Sequence, residues 1–222
     1  MLKNRNTPYQ IPAKESLSVA PNFEISKVWQ FIDCNISGFP SYYQSIKGSD
    51  KENGISETLI YYFFHCLSEQ LGGFPPYYFG KNPTQSQSEK ETDVGVFLIE
   101  SNKPITLIEF EAKRLSKASN NKEYVCGKRG GIERFKRQDH ASHLSVCGML
   151  GYVQNSHAEH WVNKINRWIH ELSDINTDAT IRWSKDEILT RAASFPNVEK
   201  YSSSHQRLSL KAIFLWRYFI EL

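Results

Sequence analysis

Two strand-like segments of the chain carry acidic side chains at positions that suit metal-assisted chemistry. Asp93 begins the first segment, and Glu111 lies in the second, beyond a turn at 101–104. If paired residue numbers across this turn sum to about 205, Asp93 lies opposite Glu111 or Ala112. Opposed side chains lie about 4.5–5.5 Å apart at Cβ, so two ionised carboxylates there repel unless a cation lies between them. Mg2+, or Mn2+, is the expected cofactor because it prefers oxygen ligands.

Lys113 adds a cation to the same predicted face. It follows Glu111 by two residues, and side chains two apart on a strand project from one face. An ammonium there can orient or help deprotonate a water nucleophile and stabilise charge on a phosphorane. Glu109 shares the face and is expected to join the cluster or to orient its members. The set indicates phosphodiester hydrolysis. The alternative is a solvated edge strand on which Asp93 is only a turn residue.

The elements that must position these residues follow from capping and periodicity. Ser56 is the predicted N-cap of the first helix, and Glu57 lies in its first turn. Alternating β-branched and aromatic residues predict a β-hairpin around the turn at 101–104. In chain order we expect a helix, the two strands of the hairpin, a basic loop, a second helix and a buried strand (55–71, 93–100, 105–114, 116–131, 132–144 and 146–153).

The chain is expected to form one α/β domain with extensions. Its parts are an N-terminal extension packed on the core, the core itself, and a C-terminal extension of the same domain (1–54, 55–153 and 154–222). In the last part, two Ser-x-x-Glu capping boxes predict helices that begin near Ser156 and Ser184. Two late strands are predicted after them, near 199–207 and 211–220.

This order of elements and motifs resembles the PD-(D/E)xK nucleases, which have the restriction-endonuclease-like fold. The resemblance is carried by Glu57 in SETL, Asp93 in TDVGV, and Glu111 with Lys113 in EFEAKR, and it covers roughly residues 55–153. Thr92 stands where the family often has proline. The resemblance implies a core of helix, three-strand meander, helix and strand.

The resemblance also implies a role for each motif residue. Asp93 and Glu111 would bind the metal together with the backbone carbonyl of Ala112, and Lys113 would position the attacking water. Glu57 would reach the metal directly or through a water molecule. The alternative for Glu57 is an acid that only complements the positive end of its helix.

A basic run follows the motif lysine. Residues 113–137 carry nine Lys or Arg against two Glu, a net +7, so the rest of the +3 chain carries −4. Beside a phosphodiesterase site, such a run would neutralise phosphates without reading base sequence. The expected nucleic-acid contacts are Lys128, Arg129, Arg134, Lys136 and Arg137. The alternative is a solvated helix face.

Composition excludes several classes of protein. The 222 residues are 40% hydrophobic and 23% charged, which is typical of a globular chain, and they contain no apolar run long enough to span a membrane. No secretory signal is evident, and the four cysteines lie far apart. The expected location is therefore the cytoplasm, with free thiols and no membrane partner.

The sequence thus predicts a metal-dependent nuclease. Endonuclease action is expected, and exonuclease action stays open. The expected partner is DNA, RNA is not excluded, and restriction, repair or genome defence is the expected role. A homodimer or a defence-system partner subunit stays open. The alternatives are a non-cleaving nucleic-acid-binding module on the same fold and an interaction protein that uses its basic loop. The histidine pair His140 and His143 is interpreted as structural, and His205 and Arg207 as a half-exposed strand or a phosphate contact.

Overall fold

A computed structural model describes residues 21–46, 48–70, 76–81, 91–100, 103–117, 119–127, 130–175, 178, 180–207 and 211–222. Within these ranges the helices are α1 (Pro21–Asn35), α2 (Phe39–Ile46), α3 (Glu52–Gln70), α4 (Gly131–Arg137) and α5 (Ala158–Ile175). The strands are β1 (Tyr77–Lys81), β2 (Val94–Glu100), β3 (Lys103–Leu115), β4 (Val146–Val153), β5 (Thr190–Phe195), β6 (Val198–His205) and β7 (Ile213–Glu221). The expected α/β class is confirmed.

The strands form one mixed sheet in the order β1-β2-β3-β4-β7-β6-β5. The central strands β3, β4 and β7 are parallel, and every other neighbouring pair is antiparallel. One face packs on α1, α2 and α3 through a core that includes Trp29, Phe63 and Phe110. The other face packs on α4 and α5 through Phe135 and Trp161. The sheet therefore lies between two helical layers.

The predicted hairpin is confirmed, and its register is close to the expected one. Val94 pairs with Phe110, so residue numbers sum to 204 near the motif, whereas Glu100 pairs with Lys103 nearer the turn. The register shifts at a bulge between Val96 and Phe97. A bulge adds one residue to one strand, and here Leu107 on β3 is left without a partner on β2.

Two helix boundaries differ from the prediction by a turn or more. Helix α3 begins at Glu52, one turn before the predicted start, and Ser56 is buried inside it with its hydroxyl 2.9 Å from that of Tyr152. Helix α4 ends at Arg137 because Gln138 adopts a left-handed conformation with φ 66°. A polar residue at a plausible cap position can satisfy a tertiary hydrogen bond instead, so the cap motif alone misplaced the helix start.

The C-terminal part belongs to the central sheet. Strand β7 lies directly beside β4 over its whole length, so the predicted boundary at 153/154 separates two paired strands. The helix predicted from Ser184 is only a single 3-10 turn, Lys185–Glu187, in which the Ser184 hydroxyl accepts a hydrogen bond from the Asp186 amide. The helix predicted near Ser156 is confirmed as α5.

Candidate active site

The hairpin brings Asp93 and Glu111 together at the point where β2 begins. The Asp93 amide donates a hydrogen bond to the Phe110 carbonyl at 3.0 Å, which continues the ladder by one residue. The Ala112 amide donates to Asp93 Oδ2 at 2.6 Å. Asp93 therefore lies beside Glu111 and Ala112, as the pairing predicted.

Glu111 is the most enclosed member of the cluster, with 1% of its surface exposed. Its Oε1 accepts hydrogen bonds from Lys113 Nζ at 2.8 Å and from Arg134 Nη1 at 2.9 Å. Its Oε2 lies 3.6 Å from His140 Nδ1, and no described residue donates a hydrogen bond to that oxygen. The Glu111 carboxylate therefore binds one cationic side chain from β3 and one from α4.

Helix α4 begins in close contact with the backbone before it because its first residue has no side chain. A Cβ at Gly131 would lie 3.2 Å from the Tyr124 carbonyl oxygen, which is tight, and 2.5 Å from Met149 Cε, which can move, whereas Glu111 Cγ at 3.5 Å is in ordinary contact range. Glycine therefore relieves crowding at the start of α4, and Arg134, one turn later, contacts the Glu111 carboxylate. Sequence reasoning had assigned Arg134 to phosphate binding, and the glycine that precedes it was the available signal for this packing.

The two carboxylates are close enough to repel each other. Burial raises the pKa of Asp93 to about 7, and the charge of Glu111 adds to this increase. The Lys113 ammonium and the hydrogen bond from the Ala112 amide act in the opposite direction. An acid that titrates near neutral pH beside a second acid is a feature that active sites often share.

Lys113 is held by three acceptors. Its Nζ donates to Glu111 Oε1 and to the Ala112 carbonyl, both at 2.8 Å, and to Glu52 Oε1 at 3.4 Å. Burial alone would lower the pKa of Lys113, but the charges of Glu111, Glu52 and Asp93 outweigh burial and raise that pKa. Lys113 is therefore a fixed ammonium that can donate hydrogen bonds, and it is poorly suited to accept a proton.

The helix acid at this site is Glu52, and the structure does not place Glu57 there. Glu57 is exposed, and its Oε2 lies 3.5 Å from Lys81 Nζ. No hydrogen bond or ion pair joins Glu57 to Asp93, Glu111 or Lys113, all of which the structure describes. Glu52 instead accepts from Lys113 and, through Oε2, from the Arg114 amide at 2.8 Å. Sequence reasoning missed Glu52 because it began the helix one turn too late.

Glu109 occupies the same face of β3, as expected, and is 1% exposed. The Thr92 hydroxyl donates to its Oε2 at 3.1 Å, and His143 Nε2 lies 3.8 Å from its Oε1. Thr92, which precedes Asp93, thus uses its hydroxyl to hold the Glu109 carboxylate in place. Glu109 is thus positioned beside the cluster, held by Thr92.

The basic run divides into residues with different surroundings. Lys128 and Arg129 lie outside the described residues. The assignment of Lys136 to nucleic acid is wrong, because its side chain is fully buried and its Nζ lies 2.6 Å from Glu187 Oε2. Arg137 is half-buried and pairs with Glu133 and with Asp178.

A cleft of about 310 Å³ opens beside Lys113. Its lining residues come from the start of α3, the end of β3 and the loop after β3: Lys51, Glu52, Lys113, Arg114, Ser119, Asn120, Asn121, Glu123 and Tyr124. Solvent or substrate can therefore approach the Lys113 side of the cluster, although Glu111 itself is enclosed.

The donor set fits a divalent cation in part. Asp93 and Glu111 repel each other, and Glu111 Oε2 is buried without a hydrogen bond, which are the conditions that a cation would relieve. However, among the described residues no group of three or more His, Cys, Asp or Glu side chains is arranged to hold a metal ion. The cationic side chains of Lys113 and Arg134 occupy the position at Glu111 Oε1 that a metal ion would otherwise take.

A second polar cluster lies in the core and includes His205, one of the residues of uncertain role. His205 Nε2 lies within hydrogen-bonding distance of Ser203 Oγ and Arg217 Nη2, and its Nδ1 lies 3.4 Å from Glu187 Oε2. A serine, a histidine and a glutamate in this order could form a hydrolytic triad. Ser203 and His205 are 6% and 0% exposed, so a substrate cannot reach them and the cluster is structural.

Arg207 also has a structural position. It is buried, and its guanidinium donates to the backbone carbonyls of Phe135, Ala141 and Leu144. These bonds tie the segment after α4 to the end of β6, which excludes the phosphate contact considered from sequence.

The chain matches no protein-family model, no curated protein and no solved structure. No helix among the described residues is both long and apolar enough to cross a membrane. The geometry of the site is therefore the basis for assigning a function.

Proposed function

We propose that the protein is a metal-dependent nuclease that hydrolyses phosphodiester bonds of DNA. The observation that carries this proposal is the convergence of Asp93, Glu111 and Lys113 at one end of β3, next to an open cleft. Paired carboxylates with an adjacent ammonium are suited to binding a divalent cation and a phosphate together.

The element order supports the same proposal. Helix α3 is followed by three antiparallel-paired strands, then by α4 and by β4, which is parallel to β3. This is the order that the resemblance to the PD-(D/E)xK nucleases implies, with Asp93 immediately before β2 and Glu111 and Lys113 on β3. We therefore propose a restriction-endonuclease-like core for this part of the chain.

Each residue of the cluster has a proposed task. Asp93, Glu111 and the Ala112 carbonyl would hold Mg2+ or Mn2+, which when bound lowers the pKa of water and polarises the phosphate. Lys113 remains protonated, so it orients the attacking water and stabilises negative charge on the phosphoryl oxygens. Glu52 holds Lys113 from the helix side, and Arg134 limits the charge on Glu111.

The test is a cleavage assay on plasmid and linear DNA with Mg2+, Mn2+, Ca2+ or EDTA. We expect activity with Mg2+ and Mn2+, little with Ca2+, and none in EDTA, because Mg2+ demands a near-octahedral oxygen geometry that the larger ion distorts. The Asp93→Asn and Glu111→Gln variants should be inactive, and the double variant should lose little more than either single variant. Full activity of the wild type in EDTA would exclude the mechanism.

A non-cleaving nucleic-acid-binding module is the second candidate. It is favoured by the two cations on Glu111 Oε1, which leave the described residues without a three-acid metal cluster. Calorimetry with Mg2+ separates the two candidates. Binding by the wild type that is lost in Asp93→Asn supports the nuclease, whereas DNA binding with no Mg2+ binding supports the module.

A further inference from the structure

The cleft beside Lys113 is lined by two further cationic side chains, Arg114 and Lys51, which the proposed chemistry does not use. Arg114 follows Lys113 directly, and its guanidinium donates from Nη1 to the Asp50 carbonyl at 3.1 Å and from Nε to Ser119 Oγ at 3.2 Å. Lys51 lies on the same cleft at the start of α3 and is exposed. The bonds to Asp50 and Ser119 fix the guanidinium in place.

The charge of these two cations is not neutralised within the described part of the chain. Arg114 and Lys51 form no ion pair with any described carboxylate, whereas Glu52 and Glu111 already accept from Lys113. Glu123, the other acid on the cleft, makes no described contact with Arg114 or Lys51. A fixed guanidinium with unused donors is well suited to bind a phosphate, whose oxygens match its fork of N–H groups.

The remaining wall of the cleft is polar and is held in shape by its own hydrogen bonds. The Asn121 side chain accepts from the Ser116 amide and donates to the Ser116 carbonyl, and the hydroxyls of Ser116 and Ser119 lie 2.7 Å apart. Asn120 is exposed on the same wall. A polar cleft of about 310 Å³ has room for one nucleotide unit, at the lower end of the sizes usual for ligand sites.

We propose that Arg114 and Lys51 form a phosphate-binding subsite that holds the phosphate next to the one acted on beside Lys113. This inference rests on the proposed nuclease function and identifies where the substrate backbone lies. It moves the phosphate contacts away from Lys136 and Arg137, which pair with acids, to the cleft between α3 and the loop after β3.

The test is a salt titration of binding to a fluorescein-labelled 20-base-pair DNA duplex, with Ca2+ present to prevent cleavage. Lys51→Ala and Arg114→Ala should each weaken binding about tenfold, since a charge-assisted bond to phosphate is lost. Each should also reduce the slope of log K against log salt by about 0.9. Lys211→Ala is the matched control, because Lys211 is exposed and precedes β7 at the opposite end of the parallel strands.

Thermal unfolding of each variant shows whether a weaker complex reflects a damaged fold. Lys51→Ala is the safer variant because the Lys51 side chain makes no described hydrogen bond, and Arg114→Lys keeps the charge and should restore part of the affinity. Slopes unchanged from wild type in both Lys51→Ala and Arg114→Ala would overturn the proposal. An equal loss in Lys211→Ala would also overturn it, because the effect would then be one of total charge.

The source of the phosphate is resolved by a second titration with inorganic phosphate. Arg114-dependent binding of inorganic phosphate without duplex binding would mean that the cleft takes free phosphate, and the assignment to a nucleic-acid backbone would fail. If the wild type binds duplex through Arg114 but cleaves nothing with Mg2+, the subsite stands and the nuclease proposal fails. If the wild type cleaves DNA with Mg2+ but Lys51→Ala and Arg114→Ala keep the wild-type salt slopes, the nuclease proposal stands and the subsite fails.

Discussion

The molecule contains two clusters that pair a lysine with a glutamate at similar distances, and their surroundings differ. Lys113 lies 2.8 Å from Glu111 at the cleft, whereas Lys136 lies 2.6 Å from Glu187 in the core. The Lys113 side chain is 11% exposed and the Lys136 side chain is not exposed at all. Residue type and spacing therefore do not distinguish a pair at a cleft from a pair enclosed in the core.

The balance of charge around each pair does distinguish them. At the cleft the carboxylates of Asp93, Glu111 and Glu52 face Lys113, and the pKa of Asp93 is raised. In the core the positive groups exceed the acids, because Lys136 contacts Glu187 and Arg217 lies next to it across the neutral His205. Burial lowers the pKa of Lys136 and of Arg217, and it lowers that of His205 to about 4. An added cation would therefore be attracted to the first cluster and repelled by the second.

The largest effect should come from breaking the buried pair. Glu187→Ala leaves Lys136 uncompensated in the core and should reduce the free energy of unfolding by about 3–5 kcal/mol. Urea denaturation measures this loss. The control is Glu199→Ala, whose exposed pair with Arg191 should contribute less than about 1 kcal/mol. Equal losses in the two variants would show that burial does not separate these pairs.

Removal of Lys113 from the cleft should reduce the cleavage rate strongly and the free energy of unfolding only a little. Lys113→Met should reduce the rate of DNA cleavage by at least about 100-fold, the usual effect of removing one preorganised charge from a site. Glu111 keeps its bond to Arg134, so the loss of stability should be less than half of that for Glu187→Ala. Cleavage at the wild-type rate by Lys113→Met would contradict the task assigned to Lys113.

The two clusters should give pH dependences of opposite sign. The pKa of Asp93 rises from 3.8 to about 7 on folding, so the folded state binds more protons and this contribution to stability is lost as pH rises from 4 to 7. The pKa of His205 falls from 6.5 to about 4, so its contribution is lost as pH falls through 6.5 towards 4.

Asp93→Asn removes the first contribution and leaves the second. Between pH 7 and pH 5 the variant should therefore lose stability on acidification relative to wild type, by at most about 1.4 kcal/mol per pH unit. Urea denaturation at several pH values without added metal gives the comparison. Parallel stability curves for the variant and the wild type would show that Asp93 does not titrate in this range.

The smallest effect is expected at Arg137. Its guanidinium already pairs with Glu133 and Asp178, so Arg137→Ala should leave DNA affinity and its salt dependence unchanged. A reduced slope in a salt titration would return this part of the basic run to the substrate-binding surface and would weaken the contrast with Arg114.

The hairpin and its facing acids could be predicted from sequence because they depend on local rules. Alternation fixes which side chains share a face, and a short turn fixes the register to within one residue, so Asp93 and Glu111 were correctly paired. Glu52 could not be assigned, because the true start of α3 depends on the burial of Ser56 against Tyr152. The burial of Lys136 was also hidden, since its partner Glu187 is 51 residues away.

The position of β7 has a consequence for how the chain folds. Strand β4 lies between β3 and β7 and is buried along almost its whole length, although β7 lies some sixty residues further along the chain. Until β7 has paired, the chain from α3 to β4 presents an unpaired, apolar strand edge, the kind of edge that recruits other chains. A fragment that ends after β4 would contain every residue of the proposed catalytic cluster and would still be expected to aggregate. Pairings between distant segments form slowly. Because β7 pairs late and lies at the centre of the sheet, we expect folding of this chain to depend on chaperones.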